Sequence, residues 1–384
     1  MHYHIVLTER CNSHCKYCYE KSIKEFDNSL SKKWEFDHNV PVNSEIDTEK
    51  IVEFLEAGDS LIFYGGEPLI NFEKMKGIMD SIESSESGKA GKIKFKMQTN
   101  GKILDSIPKE YVNKISKMLV SIDGHRGRTD FNRGQGTYDK VIENINKIRK
   151  HGFKGEIVAR MTLSFDTSPG YDIYEQVMHL IDLIDKGIFD SVHWQIDAGF
   201  YEFDFNYKKF NEFVKKYNEN IEKLVDFWVE NIKQGRVYRI YPFLGIFESL
   251  YYKKPSKLRC GSGYANYTIN TNGKISPCPI MNNIKNFYCG DLDSKIRNKE
   301  LKEFHPGGKC KNCEYLWVCG GRCLYENYSG LWPQEGRDLI CKTIIHLVES
   351  IKNRITDIKE CINGGIVNKS DFIYEKYFGP EIIP

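Results

Sequence analysis

Directly after its first predicted strand, residues 4–7, the chain carries the stretch Cys11-Asn12-Ser13-His14-Cys15-Lys16-Tyr17-Cys18. Three thiolates within eight residues can hold three corners of a [4Fe–4S] cube and leave the fourth iron without a protein ligand. A zinc site completed by His14 is the alternative, although structural zinc normally uses two separated pairs of ligands. The stretch therefore predicts an iron–sulfur site at the end of the first strand.

The remaining cysteines are clustered as well. Of the 12 cysteines, three lie in this stretch, eight lie between Cys260 and Cys341, and Cys361 stands alone. A disulfide scaffold would spread its bridges through a small secreted fold, whereas this chain has 384 residues and begins Met1-His2-Tyr3-His4 without a charged and then apolar leader. We therefore expect reduced, metal-bound thiols in a cytoplasmic protein.

Composition excludes some classes of partner. Lys plus Arg number 55 and Asp plus Glu number 53, which gives a formal charge of +2 and no electrostatic case for binding nucleic acid or a membrane surface. No apolar run approaches the roughly 20 residues that span a bilayer. The length exceeds that of one ordinary core, so we expect two domains or one domain with a large appendage.

The first 235 residues alternate short apolar strands with amphipathic helices, the pattern of a parallel sheet covered by helices. The predicted strands are residues 4–7, 60–64, 93–98, 118–122, 157–162 and 192–196, and helices are predicted at 137–151, 172–186 and 206–234. Six units fall short of the eight that close a standard barrel. The fold class predicted is therefore α/β, a partial (β/α)6 TIM-like barrel with its functional loops at the carboxyl ends of the strands.

The rest of the chain divides by composition. We predict a polar insertion at 21–44, a barrel over 1–235, an aromatic bridging segment over 236–259, and a Cys-rich domain over 260–345 in which metal replaces part of the core. A C-terminal helix and tail follow over 346–384, with Ile at helical spacing from Ile344 to Ile362 and a stop at Gly364-Gly365.

The first cysteine stretch resembles the signature of the radical S-adenosylmethionine (SAM) superfamily, Cys-x3-Cys-x-aromatic-Cys, which follows the first strand of a partial barrel. The resemblance implies that Cys11, Cys15 and Cys18 bind a [4Fe–4S] cluster whose open iron chelates SAM. One electron from that cluster then cleaves SAM to methionine and a 5′-deoxyadenosyl radical. It also implies a low-potential electron donor such as ferredoxin or flavodoxin, and sensitivity to oxygen.

Polar residues at other predicted strand ends resemble the SAM-binding positions of the same superfamily. Gly65-Gly66-Glu67 follows the second strand and resembles the Gly-Gly-Glu motif that binds the SAM amino group; two glycines also let the backbone approach a ligand closely. The resemblance suggests SAM contacts at Tyr17, Gly65, Gly66, Glu67, Asn100, Ser121, Asp123, Arg133 and Arg160, with Arg133 on the loop after strand four. Gln195 and Asp197, at the end of strand six, are candidates on the substrate side. A simple turn or a solvated strand end is the alternative at each position.

The second cysteine region resembles the SPASM domain, which carries two auxiliary [4Fe–4S] clusters. By resemblance, Cys310, Cys313, Cys319 and Cys341 would hold the distal cluster, and Cys260, Cys278 and Cys323 the cluster nearer the active site. The nearer cluster then lacks one ligand, which Cys289 would supply unless that iron stays open to substrate. Cys289 as a buried small hydrophobe, like Cys361, and a zinc-ribbon module are the structural alternatives.

The whole resemblance is to radical SAM/SPASM enzymes, especially an archaeal peptide-modifying group and, more distantly, the anaerobic sulfatase-maturating enzymes. It implies hydrogen abstraction from a peptide or protein substrate that ends in a cross-link or an oxidised residue. The sulfatase-maturating enzymes place an Asp directly after the cysteine that corresponds to Cys278, whereas this chain has Pro279 there. Formylglycine formation is therefore the second hypothesis, and a non-catalytic iron–sulfur or zinc-stabilised binding protein is the third.

Overall fold

A computed structural model describes residues 1–18, 30–85, 91–165, 172–201, 204–381 and 384. Its strands are β1 His2–Thr8, β2 Ser60–Gly65, β3 Lys94–Thr99, β4 Ile115–Ser121, β5 Glu156–Ser164, β6 Ser191–Asp197, β7 Asn266–Ile269, β8 Lys274–Ser276 and β9 Gly290–Asp291. Its α-helices are α1 Leu30–Lys33, α2 Thr48–Phe54, α3 Phe72–Ser84, α4 Lys109–Val112, α5 Arg126–Arg133, α6 Thr137–Lys150, α7 Ile173–Asp185, α8 Tyr207–Lys233, α9 Tyr241–Tyr252, α10 Leu316–Cys319, α11 Leu324–Ser329, α12 Gln334–Asn353 and α13 Ile355–Asn363. All six strands predicted for the barrel are present.

The chain forms two compact units, each drawn from several stretches of sequence. The first unit comprises residues 1–122, 133–158 and 261–304, and the second comprises 123–132, 159–260 and 305–384. The domain boundaries expected at residues 235, 259 and 345 remain a prediction.

The first unit is built on a sheet with the strand order β4-β3-β2-β1-β7-β8-β9. Strands β1 to β4 and β7 run parallel, with Ile5 level with both Phe63 on β2 and Ile269 on β7. Strand β8 pairs antiparallel with β7, and β9 pairs antiparallel with β8. Such parallel strands are buried on both faces and read as continuous apolar runs. Strands β7, β8 and β9 were not predicted from the sequence because they have only four, three and two residues.

The second unit contains β6, most of β5, and an aromatic core. Strands β5 and β6 are neighbours in the sheet. The indole of Trp194 on β6 donates to the Tyr217 hydroxyl of α8 at 2.9 Å and packs edge-on against Phe243 of α9. Helix α9 is almost wholly buried, although no helix was expected within residues 236–259. Its many aromatic side chains hide the 3.6-residue period by which a helix is recognised in a sequence.

The C-terminal region differs from the single helix predicted there. Helix α12 begins earlier, at Gln334, and ends at Asn353, and α13 begins at Ile355. The break falls at Arg354, whose guanidinium pairs with Glu222 and Asp226 of α8 at 2.8 and 2.6 Å. A tertiary contact of this kind leaves no mark in the spacing of apolar residues. Among the described residues, no helix combines the length and apolarity that a membrane span requires.

Part of the predicted polar insertion, residues 21–29, lies outside the described residues. From residue 30 onward the insertion is anchored by apolar and backbone contacts within the first unit. Trp34 is buried and packs edge-on against Phe287, and Phe36 forms a bridge with Ile284.

Candidate functional site

The cysteine stretch leaves β1 through a loop that is anchored at its base. The Thr8 hydroxyl accepts from the Arg10 amide at 3.1 Å and donates to the Asn43 side chain at 2.7 Å. The Cys18 amide donates to the Cys15 carbonyl at 3.1 Å, which closes a turn around the second and third cysteines. All three thiols are partly exposed, as a site that must receive a ligand from solution requires.

Gly65 and Gly66 bring the end of β2 against the base of this loop. The Gly66 amide donates to the Thr8 carbonyl and the Glu67 amide to the Arg10 carbonyl, each at 2.9 Å. A Cβ on Gly65 would collide with the Thr8 carbonyl, and one on Gly66 would lie 2.5 Å from the Arg10 oxygen. Gly65 also has φ +144°. The glycines are therefore required here for backbone packing, whatever they contribute to binding SAM.

The Glu67 side chain is fully buried at the same point. Its carboxylate accepts from the Thr99 hydroxyl at 2.8 Å and from the amides of Asn100 and Leu69 at 2.7 and 3.3 Å. Burial raises the pKa of Glu67 to about 7, although these donors act in the opposite direction. The carboxylate thus ties the end of β2 to the end of β3, a role that its predicted contact with the SAM ammonium did not anticipate.

Asn100 continues this connection to the first cysteine. Its side-chain amide donates to Asn12 Oδ1 at 2.6 Å and approaches Cys11 Sγ at 3.8 Å. Weak N–H donation to sulfur stabilises a thiolate and orients it. Asn12 was not among the predicted site residues, because it lies between the first two cysteines, at a variable position of the motif.

Arg133 reaches the other end of the stretch. Its guanidinium lies 5.3 Å from the centre of the Tyr17 ring, and Nη1 lies 4.0 Å from Cys15 Sγ. Arg133 was expected on a loop, but it is the last residue of helix α5, because α5 follows closely on β4. Its carbonyl accepts from the Lys102 ammonium at 3.2 Å, which fixes the helix end. Asn100 thus lies beside the first cysteine, and Arg133 lies beside the second cysteine and Tyr17.

The predicted contacts at the ends of β4 and β5 have varied surroundings. Ser121 is the last residue of β4 and is partly exposed. In the second unit, the buried Asp123 carboxylate accepts from the Thr162 amide at 3.0 Å and from Asn132 Nδ2 at 3.2 Å. Its oxygens connect the Thr162 backbone to the Asn132 side chain, which is a structural role.

Arg160 connects β5 to β6 within the second unit. Its guanidinium lies 2.6 Å from His193 Nδ1 and donates to Gln195 Oε1 at 3.0 Å. His193 is fully buried, and nothing in its sequence context singled it out. Gln195 is therefore held by Arg160 through its oxygen.

Asp197 ends β6, and the pKa of its carboxyl group is strongly shifted. Burial and the neighbouring Asp204 carboxylate raise the pKa of Asp197 to about 8, whereas the Ser164 hydroxyl and the Arg322 guanidinium lower it. An acid that is protonated at neutral pH can donate a proton and, above pH 8, accept one. Perturbed acids at the carboxyl ends of barrel strands are candidates for function.

Within the second unit, Cys310 is acted on electrostatically by Cys319 and Cys313, Cys319 by Cys313, and Cys341 by Cys319 and Cys310. Burial, followed by the neighbouring thiols, raises the pKa of Cys310 to about 11 and that of Cys341 to about 12. Cys319 accepts from the backbone amides of Gly321 and Arg322, and Asn327 Nδ2 lies 3.4 Å from Cys310 Sγ. Burial disfavours the thiolate form of these thiols when no metal is bound, whereas a bound metal stabilises the thiolate.

The other predicted ligands are described within their own units. In the second unit, Cys260 acts electrostatically on the buried Cys323. In the first unit, Cys278 directly precedes the 3₁₀ helix Pro279–Met281. The buried Cys289 thiol donates to the Phe287 carbonyl at 3.4 Å, and its pKa is raised to about 12 by burial. Its role as a fourth ligand remains a prediction.

The cysteine sets fit iron–sulfur clusters in their donor chemistry, since such clusters take thiolate ligands, one on each iron. Among the described residues, no three His, Cys, Asp or Glu side chains converge as they would around one metal ion.

Comparison with known proteins gives a family match to part of the chain. Residues 5–171 match the model of the Radical SAM superfamily, which confirms the resemblance drawn from the sequence. An uncharacterised protein of Archaeoglobus fulgidus is 23% identical over 338 residues, which cover 84% of this chain and 74% of that protein. The radical SAM cyclopropyl synthase TigE of Paramaledivibacter caminithermalis is 23% identical over 232 residues, 50% of this chain and 48% of TigE.

Solved structures share the fold. Native anSMEcpe with bound AdoMet, an anaerobic sulfatase maturase, superposes with a TM-score of 0.67 at 19% identity over 94% of this chain and 99% of that one. Streptococcus suis SuiB bound to its precursor peptide SuiA gives 0.52 at 17% identity over 85% and 73%. The predicted α/β fold class, a partial barrel followed by a Cys-rich region, is confirmed.

Proposed function

We propose that this protein is a radical SAM enzyme that abstracts hydrogen from a peptide or protein substrate and leaves a cross-link or an oxidised residue. The observation that carries the proposal is the set of donors around the cysteine stretch. Asn100 from the end of β3 and Arg133 from the end of α5 place N–H groups at 3.8 Å from Cys11 Sγ and 4.0 Å from Cys15 Sγ. A disulfide-bonded or merely structural thiol set has no need of such donors.

Cys11, Cys15 and Cys18 would hold a [4Fe–4S] cluster, which supplies the electron that cleaves SAM to the 5′-deoxyadenosyl radical. The protein's own groups would then orient SAM and shield the radical. Arg133 and Tyr17 offer a cationic and an aromatic face beside the second and third cysteines. Glu67 holds Asn100 in place through the Asn100 amide, and Asn100 in turn contacts the first cysteine.

The substrate class is supported by two kinds of observation. SuiB has been solved with its precursor peptide and anSMEcpe with a Cys-containing peptide, and both share this fold. In this chain, Asp197 ends β6 with a pKa of about 8. We assign it proton transfer to or from the peptide substrate, with Gln195 and Arg160 as neighbouring polar groups. An electron donor such as ferredoxin or flavodoxin and a cytoplasmic, anaerobic setting belong to the same proposal.

SAM cleavage tests the proposal directly. The anaerobically reconstituted protein, reduced with dithionite in the presence of SAM, should form 5′-deoxyadenosine. The triple variant Cys11→Ala, Cys15→Ala, Cys18→Ala should form none. Undiminished 5′-deoxyadenosine from the triple variant would show that the stretch is not the radical-generating site.

Metal analysis separates this proposal from an iron–sulfur or zinc-stabilised binding protein. Three cubane clusters correspond to roughly 12 iron per chain with equal sulfide. A few zinc ions without visible absorbance would indicate the binding protein instead.

The fold likeness to anSMEcpe is the one observation that favours formylglycine formation as a second candidate. Against it, Cys278 is followed by Pro279, which opens a 3₁₀ helix and carries no proton-accepting side chain. Incubation with a Cys-type sulfatase peptide and mass spectrometry decides between them, since the aldehyde product is lighter than the thiol.

A further inference from the structure

Arg322 lies in a sharp turn between two groups of cysteines in the second unit. It follows Gly320 and Gly321 and precedes Cys323, and all of 320–322 have left-handed φ, with +52° at Arg322. A side chain at Gly320 or Gly321 would collide with the Leu258 amide or with Pro306. The turn lets the amides of Gly321 and Arg322 donate to Cys319. A non-glycine residue pays a conformational cost at such a φ, so the arginine side chain needs a reason to be here.

The guanidinium of Arg322 is buried, with 4% of the residue exposed. Nη2 donates to the Ile196 carbonyl of β6 at 3.2 Å. Nε and Nη1 have no hydrogen-bond partner among the described residues. A buried cation with unpaired N–H groups is costly, and the cost is offset only if an anion or acceptor completes the site.

The groups around Arg322 are those of an anionic site. Its charge acts on Cys323, Cys341 and Glu326, and also on Asp197. Arg259, which acts on Cys319, donates from all three of its guanidinium nitrogens, to the carbonyls of Val318 and Gly245 and to the Ser249 hydroxyl at 2.6, 2.8 and 2.7 Å. Arg337 also has a buried Nε without a hydrogen-bond partner among the described residues, but the arginine whose charge acts on Cys323 and Cys341 is Arg322.

We propose that Arg322 donates from Nε and Nη1 to the sulfur atoms of an auxiliary iron–sulfur cluster and raises the reduction potential of that cluster. The inference rests on the auxiliary clusters of the proposed function. A positive charge and N–H donors at sulfur stabilise the reduced cluster, which carries one more negative charge than the oxidised cluster. An auxiliary cluster with a raised potential accepts an electron from a substrate radical more readily. Arg322 acts through the cluster and is a positioning and tuning residue.

The test uses the full chain with Cys11, Cys15 and Cys18 replaced by Ala, so that only auxiliary clusters remain. In that background, R322Q and the control R337Q are compared by redox titration monitored by electron paramagnetic resonance, with iron counted in each. Arg337 carries the same charge, also has a buried Nε without a partner among the described residues and also acts on Glu326, but the arginine that acts on Cys323 and Cys341 is Arg322.

We expect R322Q to shift one cluster potential to more negative values and R337Q to leave both potentials in place. Equal potentials in R322Q and its parent, at equal iron content, would overturn the role of Arg322 but not the auxiliary clusters. A parent that binds no iron would overturn the auxiliary clusters themselves. If R322Q loses iron, R322K decides, because it keeps the charge but not the planar donors: a potential equal to that of the parent contradicts donation by Nε and Nη1.

Discussion

At the scale of single residues, Glu67 couples proton binding to folding. Its pKa rises from an ordinary value of 4.5 to about 7, so the folded chain holds this proton more tightly than the unfolded chain does. The stability that the proton contributes is complete below pH 4.5 and is lost as the pH rises through 7. The difference in unfolding free energy between the wild type and E67Q should therefore fall across this range, by about 1.4 kcal/mol for each pKa unit.

Urea unfolding under anaerobic conditions at about pH 5 and about pH 8 measures this difference. The exposed Glu73, six residues further on, supplies the control E73Q, which makes the same substitution at the surface. Parallel pH profiles for the wild type and E67Q would contradict the prediction.

Asn100 tests whether N–H donation to the cysteine stretch matters. N100A removes the contacts with Asn12 and Cys11 and leaves the backbone amide on Glu67. Because a hydrogen bond to a charged group contributes about 1.5 kcal/mol or more, we expect roughly a tenfold slower formation of 5′-deoxyadenosine. N113A, at an exposed asparagine after α4, should match the wild type. A normal rate in N100A would remove this donor from the mechanism.

Asp197 is expected to act on the substrate and not on SAM. D197N should lower the yield of modified peptide by at least about 100-fold, the usual range for a lost proton-transfer group, while 5′-deoxyadenosine still forms. In the wild type, product formation should change with a pKa near 8. Mass spectrometry of a short peptide encoded beside the gene, co-expressed with either form, gives the yield. Equal yields would place the proton transfer elsewhere.

At the scale of secondary-structure elements, Arg354 marks the break between α12 and α13. Its guanidinium donates to Glu222 and Asp226 of α8 and to the Ser350 carbonyl. The arginine side chain is 22% exposed, so solvent weakens these pairs and R354A should cost about 1 kcal/mol. K352A removes the more exposed pair with Glu349 and should cost close to nothing. Thermal unfolding of both variants measures the contrast, and equal melting temperatures would rule out a structural role for the break.

The elements themselves were largely predictable from the sequence. The six barrel strands are short apolar runs between polar turns, and α6, α7 and α8 have clean apolar stripes, as in Val141, Ile145 and Ile148. Features that escaped prediction did so for separate reasons. Strands β7 to β9 are too short to show a period, α9 is apolar around most of its circumference, and the break at Arg354 depends on acids that lie 128 and more residues away in the chain.

At the scale of the whole molecule, the two sets of thiols belong to different compact units. Cys11, Cys15 and Cys18 lie in the first unit, whereas Cys310, Cys313, Cys319 and Cys341 lie in the second. Replacing all four of the latter with Ala should lower iron from roughly 12 to roughly 8 per chain. Formation of 5′-deoxyadenosine should persist. Loss of both iron and 5′-deoxyadenosine formation in this variant would mean that the sets are not independent.

The candidate site was predictable where spacing carries the information. The close backbone contact demands glycines at 65–66, and the cysteine intervals mark the candidate cluster ligands, whose role stays a prediction. Asn12, His193 and Arg322 sit at positions where no interval constrains the residue type. Their roles arise from three-dimensional neighbours, such as the Ile196 carbonyl for Arg322, and only the folded structure reveals them.

The contact of Gly65 and Gly66 with the carbonyls of Thr8 and Arg10 has a consequence for engineering. A single methyl group at either position would act as a wedge between the strand end and the loop. Libraries designed to change the substrate range should therefore hold 65–66 constant and diversify elsewhere. For the same reason, either alanine variant offers a genetic knockout made by one codon, without touching a cysteine.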